Sequence, residues 1–245
     1  LVILFKVLKN ERVRKITSEY LVPKFLFFKN IFFQSMPISV SICGYALAAA
    51  IIFTYVGQSG EYAVAGYGVG TRIEQVVLLP ILGINTAIIS IIAQNYGANN
   101  LVRIKETYFT AIKYAFIIMI TAGTLVFLSA SVITSFFSSD PEVIEYGKRY
   151  LKISAFVLPA YPVFFLSNGF FMALKKSENA MISNFFRNVL NPIAVFYIAK
   201  YINASFETFF WLWVGINWFF SISYFFIIIY YFKLKLNKPS TVVHP

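Results

Sequence analysis

The stretch GYGVGTRIEQVVLLPILG, residues 66–83, sets Arg72 and Glu74 in an apolar run, after Gly66, Gly68 and Gly70 and ahead of Pro80. Residues two apart on a helix point in different directions. The spacing therefore predicts that each charge finds its partner on another helix or in water. Three roles are open to the pair: a structural or interfacial anchor, a cavity lining, and, for Glu74, carriage of a coupling proton or cation. A second polar group lies in FFRNVLNPIAVF, residues 185–196. Asn184, Asn188 and Asn191 follow i, i+4, i+7 spacing, which gathers them on one helical face with Arg187 at its edge. Such a face serves either helix-to-helix hydrogen bonding or the polar wall of a substrate path. Asn168 in LSNGFF and Gln34 with Ser35 in FFQSMP are lone polar groups of the same kind, and amides in apolar helices commonly bond neighbouring helices.

Other chemistries find no support. There is no Walker loop, the one histidine is His244 beside the C-terminal residue, and the one cysteine is Cys43. No thiolate or imidazole cluster can hold a metal, and no nucleophile has a histidine to activate it. The net charge of +11 falls in short clusters between apolar runs. A nucleic-acid binder would gather it on one face.

The elements that position these residues are membrane helices. The chain is 59% hydrophobic and 13% charged, with a mean hydropathy of +0.72, whereas a soluble domain carries about 25% charged residues. A spanning helix needs about 20 predominantly apolar residues. Charge-free runs at 30–60, 75–102, 114–139, 153–174 and 208–232 meet this, and 179–199, which contains Arg187, is a weaker sixth span. The expected fold is an all-α membrane protein, a six-transmembrane-helix bundle in one domain over 30–232. Residues 1–29 read as the end of a preceding helix and a basic cytoplasmic loop, and 233–245 as a cytoplasmic tail.

The loops test this reading. Lys6 to Lys29, Arg103, Lys105, Lys113, Lys175, Lys176, Arg187 and Lys233 to Lys238 fall on one side. Lys148, Arg149 and Lys200 fall on the other, with Glu61, Asp140, Glu142, Glu145 and Glu207. The excess of basic residues inside places both chain ends in the cytoplasm of a multi-pass plasma-membrane protein. The opening LVILF running into KVLKNERVRK predicts that the chain is a piece of a longer protein. Ser138 or Ser139 is expected to cap the helix that Pro141 opens. Tyr150, Trp211, Tyr230 and Tyr231 are expected at the membrane interfaces. Pro37, Pro80, Pro192 and Gly97 are expected breaks or hinges.

Several segments together carry a resemblance. EYAVAGYGVGTRIEQVVLLPILGINTAIISIIAQNYGANNLVRIKETY (61–108), FFSSDPEVIEYGKRYLKI (136–153), FFMALKKSENAMISNFFRNVLNPIA (170–194) and MPISVS (36–41) resemble, in this order, the C-terminal half of MATE transporters, the multidrug and toxic compound extrusion family. The likeness covers nearly all of 20–232. It implies one of two six-helix lobes, the N-terminal lobe being absent from this chain, with a substrate cavity between the lobes. By implication the function is secondary-active efflux of small cationic, amphipathic compounds in exchange for H⁺ or Na⁺, with no other cofactor. Cavity candidates are then Gln34, Tyr67, Arg72, Glu74, Asn168, Asn184 and Asn188. Some branches of the family carry coupling acids in the first and fourth helices of this lobe, whereas 30–60 and 153–174 contain none. The sequence looks closer to the DinF-like branch, which leaves Glu74 as the coupling candidate. The alternatives are a lipid-linked oligosaccharide flippase of the same superfamily, which would want several cations within its spans, and a non-transporting membrane subunit.

Overall fold

A computed structural model of the protein describes residues 25–236; of the expected segments 1–29 and 233–245, residues 1–24 and 237–245 lie outside the described residues. The chain divides into two compact units, Leu1–Ser39 and Val40–Pro245. The described part of the first unit is the opening of helix α1 (Phe25–Val56). Gln34 and Pro37 belong to its backbone, and their side chains lie outside the described residues. The second unit carries the remaining structure.

That structure is helical throughout the described residues. Helices α2 (Glu61–Gly97) and α3 (Leu101–Ser135) are unbroken. Helix α4 (Pro141–Ser154) passes through a 3₁₀ turn (Leu158–Ala160) into α5 (Tyr161–Ala173). Helix α6 (Ser177–Phe185) passes through a π-helical turn (Phe186–Leu190) into α7 (Asn191–Tyr201). Helix α8 (Phe206–Tyr231) closes the unit, followed by a π turn (Phe232–Leu236). Each of the six expected spans falls on one of these helices or broken pairs. Four stretches among the described residues are long and apolar enough to cross a membrane: Glu61–Gly97, Leu101–Ser135, Pro141–Ala173 and Phe206–Leu234. Large apolar side chains face outward, Leu128 on α3 being 74% exposed, which suits contact with lipid.

Two boundaries depart from the sequence reading. The second span begins at Glu61 rather than near 75, because Arg72 and Glu74 interrupt the charge-free run but not the helix. Glu74 therefore lies about 20 Å along the axis from the helix start. Helix α4 is capped by Asp140, whose carboxylate accepts from the amides of Glu142 at 2.9 Å and Val143 at 3.4 Å. Ser138 instead accepts from the Asp140 amide at 3.1 Å, so the expected serine cap sits one step outside the helix. Pro141 opens the helix as expected.

Helix α2 packs on α3, α4 and α5. Its contact with α4 is made by Gly66 and Gly70, one turn apart. A Cβ on Gly66 would stand 2.7 Å from the Gly147 backbone, and one on Gly70 would stand 2.2 Å from the Tyr150 ring. Small residues at this spacing let helix backbones approach closely. The core forms two apolar clusters. One contains Val56, Tyr67, Tyr150, Leu158 and Phe210, and the other Ile92, Tyr108, Phe170, Phe171 and Ile228.

Helix α8 donates to two backbone carbonyls at the α4–α5 joint. Trp218 Nε1 donates to the Phe156 carbonyl at 2.8 Å, and Ser221 Oγ to the Ala160 carbonyl at 3.1 Å. Within a membrane such groups need an internal partner. These two bonds tie α8 to the α4–α5 joint, which contains Pro159 and Pro162.

Candidate functional site

Glu74 leaves α2 half-buried, in a cavity of about 230 Å³. Both of its carboxylate oxygens are engaged. Tyr161 donates its hydroxyl to Oε1 at 2.5 Å, and Tyr150 donates to Oε2. The bonds come from α5 and α4, so one carboxylate ties three helices together. Hydrogen bonds to a charged group are roughly twice as strong as neutral ones. Arg72, two residues earlier, is exposed and lines no part of this cavity. The helix thus sends the two charges apart, as their spacing predicts.

Aromatic rings surround the carboxylate. Tyr67 meets Tyr150 edge-on with centroids 5.0 Å apart and stacks on Phe210 at 5.5 Å. Phe165, Trp213 and Tyr45 complete the aromatic lining, and Ile52, Leu78, Ala48 and Ala49 the apolar one. Tyr150, expected at an interface, is only 6% exposed. The close approach of α4 at Gly70 turns its ring inward.

The cavity also holds a cation. Arg187 is 8% exposed and lines the same cavity. Its Nε donates to Asn217 Oδ1 at 3.2 Å. Its guanidinium carbon lies 4.1 Å from the Phe164 ring centroid and 4.9 Å from that of Tyr161. Among the described residues it forms no ion pair, with Glu74 or any other acid. Tyr161 stands between the two charges, its hydroxyl on Glu74 and its face toward Arg187.

The three asparagines expected on one face have separate surroundings. Asn188 lines the cavity and is 4% exposed. Asn184 accepts from Asn168 Nδ2 at 3.1 Å, and Asn168 Oδ1 accepts from the Tyr224 hydroxyl at 3.0 Å. This chain joins α6, α5 and α8 away from the lining residues. Asn191 is buried, and its amide makes no side-chain hydrogen bond among the described residues. The π turn at 186–190 changes the angular step between these positions, so α-helical counting does not carry through it. Pro192 opens α7 directly after this turn, Pro80 lies inside the unbroken α2, and Gly97 is the last residue of α2. No group of three or more metal-ligating side chains occurs among the described residues.

Comparison with known proteins places this architecture. The MatE family model matches residues 37–197. The chain is 25% identical over 158 residues to the FAD transporter of Shewanella oneidensis, covering 64% of this chain and 35% of that protein. It is 26% identical over 164 residues to the probable multidrug resistance protein YpnP of Bacillus subtilis, covering 67% and 34%. With the multidrug export protein MepA of Staphylococcus haemolyticus it shares 25% over 174 residues, covering 71% and 38%. Among solved structures, a MOP superfamily transporter from Pyrococcus furiosus superposes with a TM-score of 0.85 at 21% identity, over 97% of this chain and 54% of that one. A MATE protein crystallised with MaL6 superposes with a TM-score of 0.84 at 21% identity, over 96% and 54%. The chain thus spans about half the length of these solved neighbours and roughly a third of these curated relatives. A family match over most of the chain, on an all-α fold with apolar spanning helices, identifies it: the chain belongs to the MatE family.

Proposed function

We propose that the chain is the C-terminal six-helix lobe of a secondary-active efflux transporter of the plasma membrane. Both ends of the lobe face the cytoplasm, and it works with an N-terminal lobe. Its cargo is a small cationic, amphipathic organic compound, exchanged for H⁺ or Na⁺. The observation that carries this reading is the cavity at Glu74, where one carboxylate sits among Tyr67, Tyr150, Tyr161, Phe165, Phe210 and Trp213. Aromatic faces and a carboxylate in a low-dielectric site attract organic cations. The same carboxylate can hold an exchanged proton or sodium ion, so that substrate and coupling ion compete for it. A lipid-linked pyrophosphate would call for several cations, and among the described residues Arg187 is the one Lys or Arg lining this cavity.

The test is transport by the full-length polypeptide in vesicles. A cationic dye should be exported when a Na⁺ or pH gradient is imposed, and Glu74→Gln should slow export at least tenfold without loss of folded protein. Movement of labelled lipid-linked sugar with no dye export would refute the reading. So would full export by the Glu74→Gln variant.

A further inference from the structure

Helix α4 carries three basic residues, and one of them has no acid beside it. Lys148 and Arg149 both bond Glu145, and Arg149 also reaches Glu207 on α8. The side chain of Lys152, one turn further on, forms no ion pair and no hydrogen bond among the described residues. Its Nζ instead stands 5.5 Å from the centre of the Phe127 ring on α3. Lys152 is half-buried and directly precedes the charge-free run 153–174, which sets it at the edge of a span. A lysine at that depth lays its stem along apolar surface and extends its ammonium toward lipid headgroups. The Phe127 ring is also one wall of a groove of about 430 Å³ that crosses the α4–α5 joint between α3 and α8. Phe127, Phe156 and Trp211 form a contiguous row along it, with centroids 5.8 and 5.3 Å apart, and Phe156 and Trp211 are each 48% exposed. Trp218, in the same groove, spends its N–H on the Phe156 carbonyl. The Trp211 N–H meets no acceptor among the described residues. One ammonium and one indole N–H are thus left for an external acceptor beside an apolar groove.

We propose that this groove seats an acyl chain of an anionic phospholipid, whose phosphate pairs with Lys152 and whose ester region accepts from the Trp211 N–H. Charge complementarity selects the occupant. A zwitterionic headgroup carries its own cation, whereas an anionic phosphodiester leaves its charge for the lysine. Tryptophan and lysine near span ends sit at headgroup level. A lipid held there bridges the joint between α4, which carries Tyr150, and α5, which carries Tyr161. It thereby braces the two helices that grip Glu74. The assignment stands on the groove and its lysine, and does not depend on the cation-efflux reading.

Trp211 is itself the reporter for the test. The full-length protein is reconstituted in mixed bilayers of phosphatidylcholine and phosphatidylglycerol, with bromine on the acyl chains of one lipid or the other. Bromine quenches an indole that it touches, and the quenching removed by Trp211→Phe is the signal from the groove. The relative binding constant there should favour phosphatidylglycerol about threefold or more in the wild type. It should fall to about one in Lys152→Gln, where only the apolar groove remains. Lys148→Gln should keep the wild-type value, because Glu145 retains Arg149 as its partner. Lys152→Met keeps the unbranched stem and serves if Lys152→Gln does not fold. Equal binding of the two lipids by the wild type overturns the site, and so does a preference that survives loss of the Lys152 charge. A preference lost equally in Lys148→Gln would trace to general surface charge and overturn it too. Quenching unchanged by Trp211→Phe would put the lipid elsewhere, with the same result.

Discussion

At the scale of single residues, the hydroxyls of Tyr150 and Tyr161 hold the Glu74 carboxylate in place. A hydrogen bond to a charged group contributes about 1.5–3 kcal/mol. Tyr161→Phe should therefore lower the thermal midpoint of the purified protein by several degrees, and substrate affinity should fall with it because the carboxylate loses an orienting donor. An unchanged midpoint together with unchanged affinity would show that the carboxylate does not depend on Tyr161. The outer ion network behaves differently. Glu145 bonds Lys148 and Arg149, and Arg149 reaches Glu207 on α8 at 2.9 Å. These groups are substantially exposed, and such pairs contribute at most about 1 kcal/mol. Arg149→Ala should cost no more than that, with the difference vanishing at high salt.

At the scale of elements, two glycines on one face of α2 decide where α4 sits, and α4 carries Tyr150. Gly70→Ala would drive a methyl group into the Tyr150 ring, 2.2 Å away. Overpacking of this kind costs about 1–3 kcal/mol, and here it also displaces the hydroxyl that serves Glu74. Gly68 lies on the same helix, and a Cβ there meets nothing within 4 Å. Gly68→Ala should be neutral or slightly stabilising, since Ala is the better helix former. Thermal unfolding and ligand affinity of the two variants side by side would separate a packing requirement from a general effect of glycine. The broken helices obey a related constraint. Trp218 and Ser221 supply donors to carbonyls at the α4–α5 joint, so Ser221→Ala should remove one hydrogen bond and destabilise by about 0.5–1.5 kcal/mol.

At the scale of the whole molecule, the chain offers a cavity lined by Glu74 and Arg187, and it covers about half the length of its solved neighbours. Orientation in the bilayer is testable with single cysteines in a Cys43→Ser background. A cysteine placed at Gln58, between α1 and α2, should react with a membrane-impermeant maleimide added to intact cells. One at Asn99, between α2 and α3, should react only after permeabilisation. The reverse pattern would invert the proposed topology.

The sequence by itself determined the helical class, the order of the spans and the presence of charges within them. Those properties follow from local hydropathy and from the length a bilayer demands, and both survive without knowledge of any contact. It also predicted that Arg72 and Glu74 would part, because helical geometry is local. Tertiary structure decided who meets whom. Tyr150 lies 76 residues from Glu74 and Tyr161 lies 87, and nothing in their own neighbourhoods distinguishes an inward tyrosine from one at the lipid interface. The close approach at Gly70 makes that choice. Likewise, Asn184, Asn188 and Asn191 share a face only while the helix keeps its α period, and the π turn at 186–190 sends them to different surroundings. Spacing can be read along one helix, whereas a site assembled from five helices and a π turn exists only once they pack.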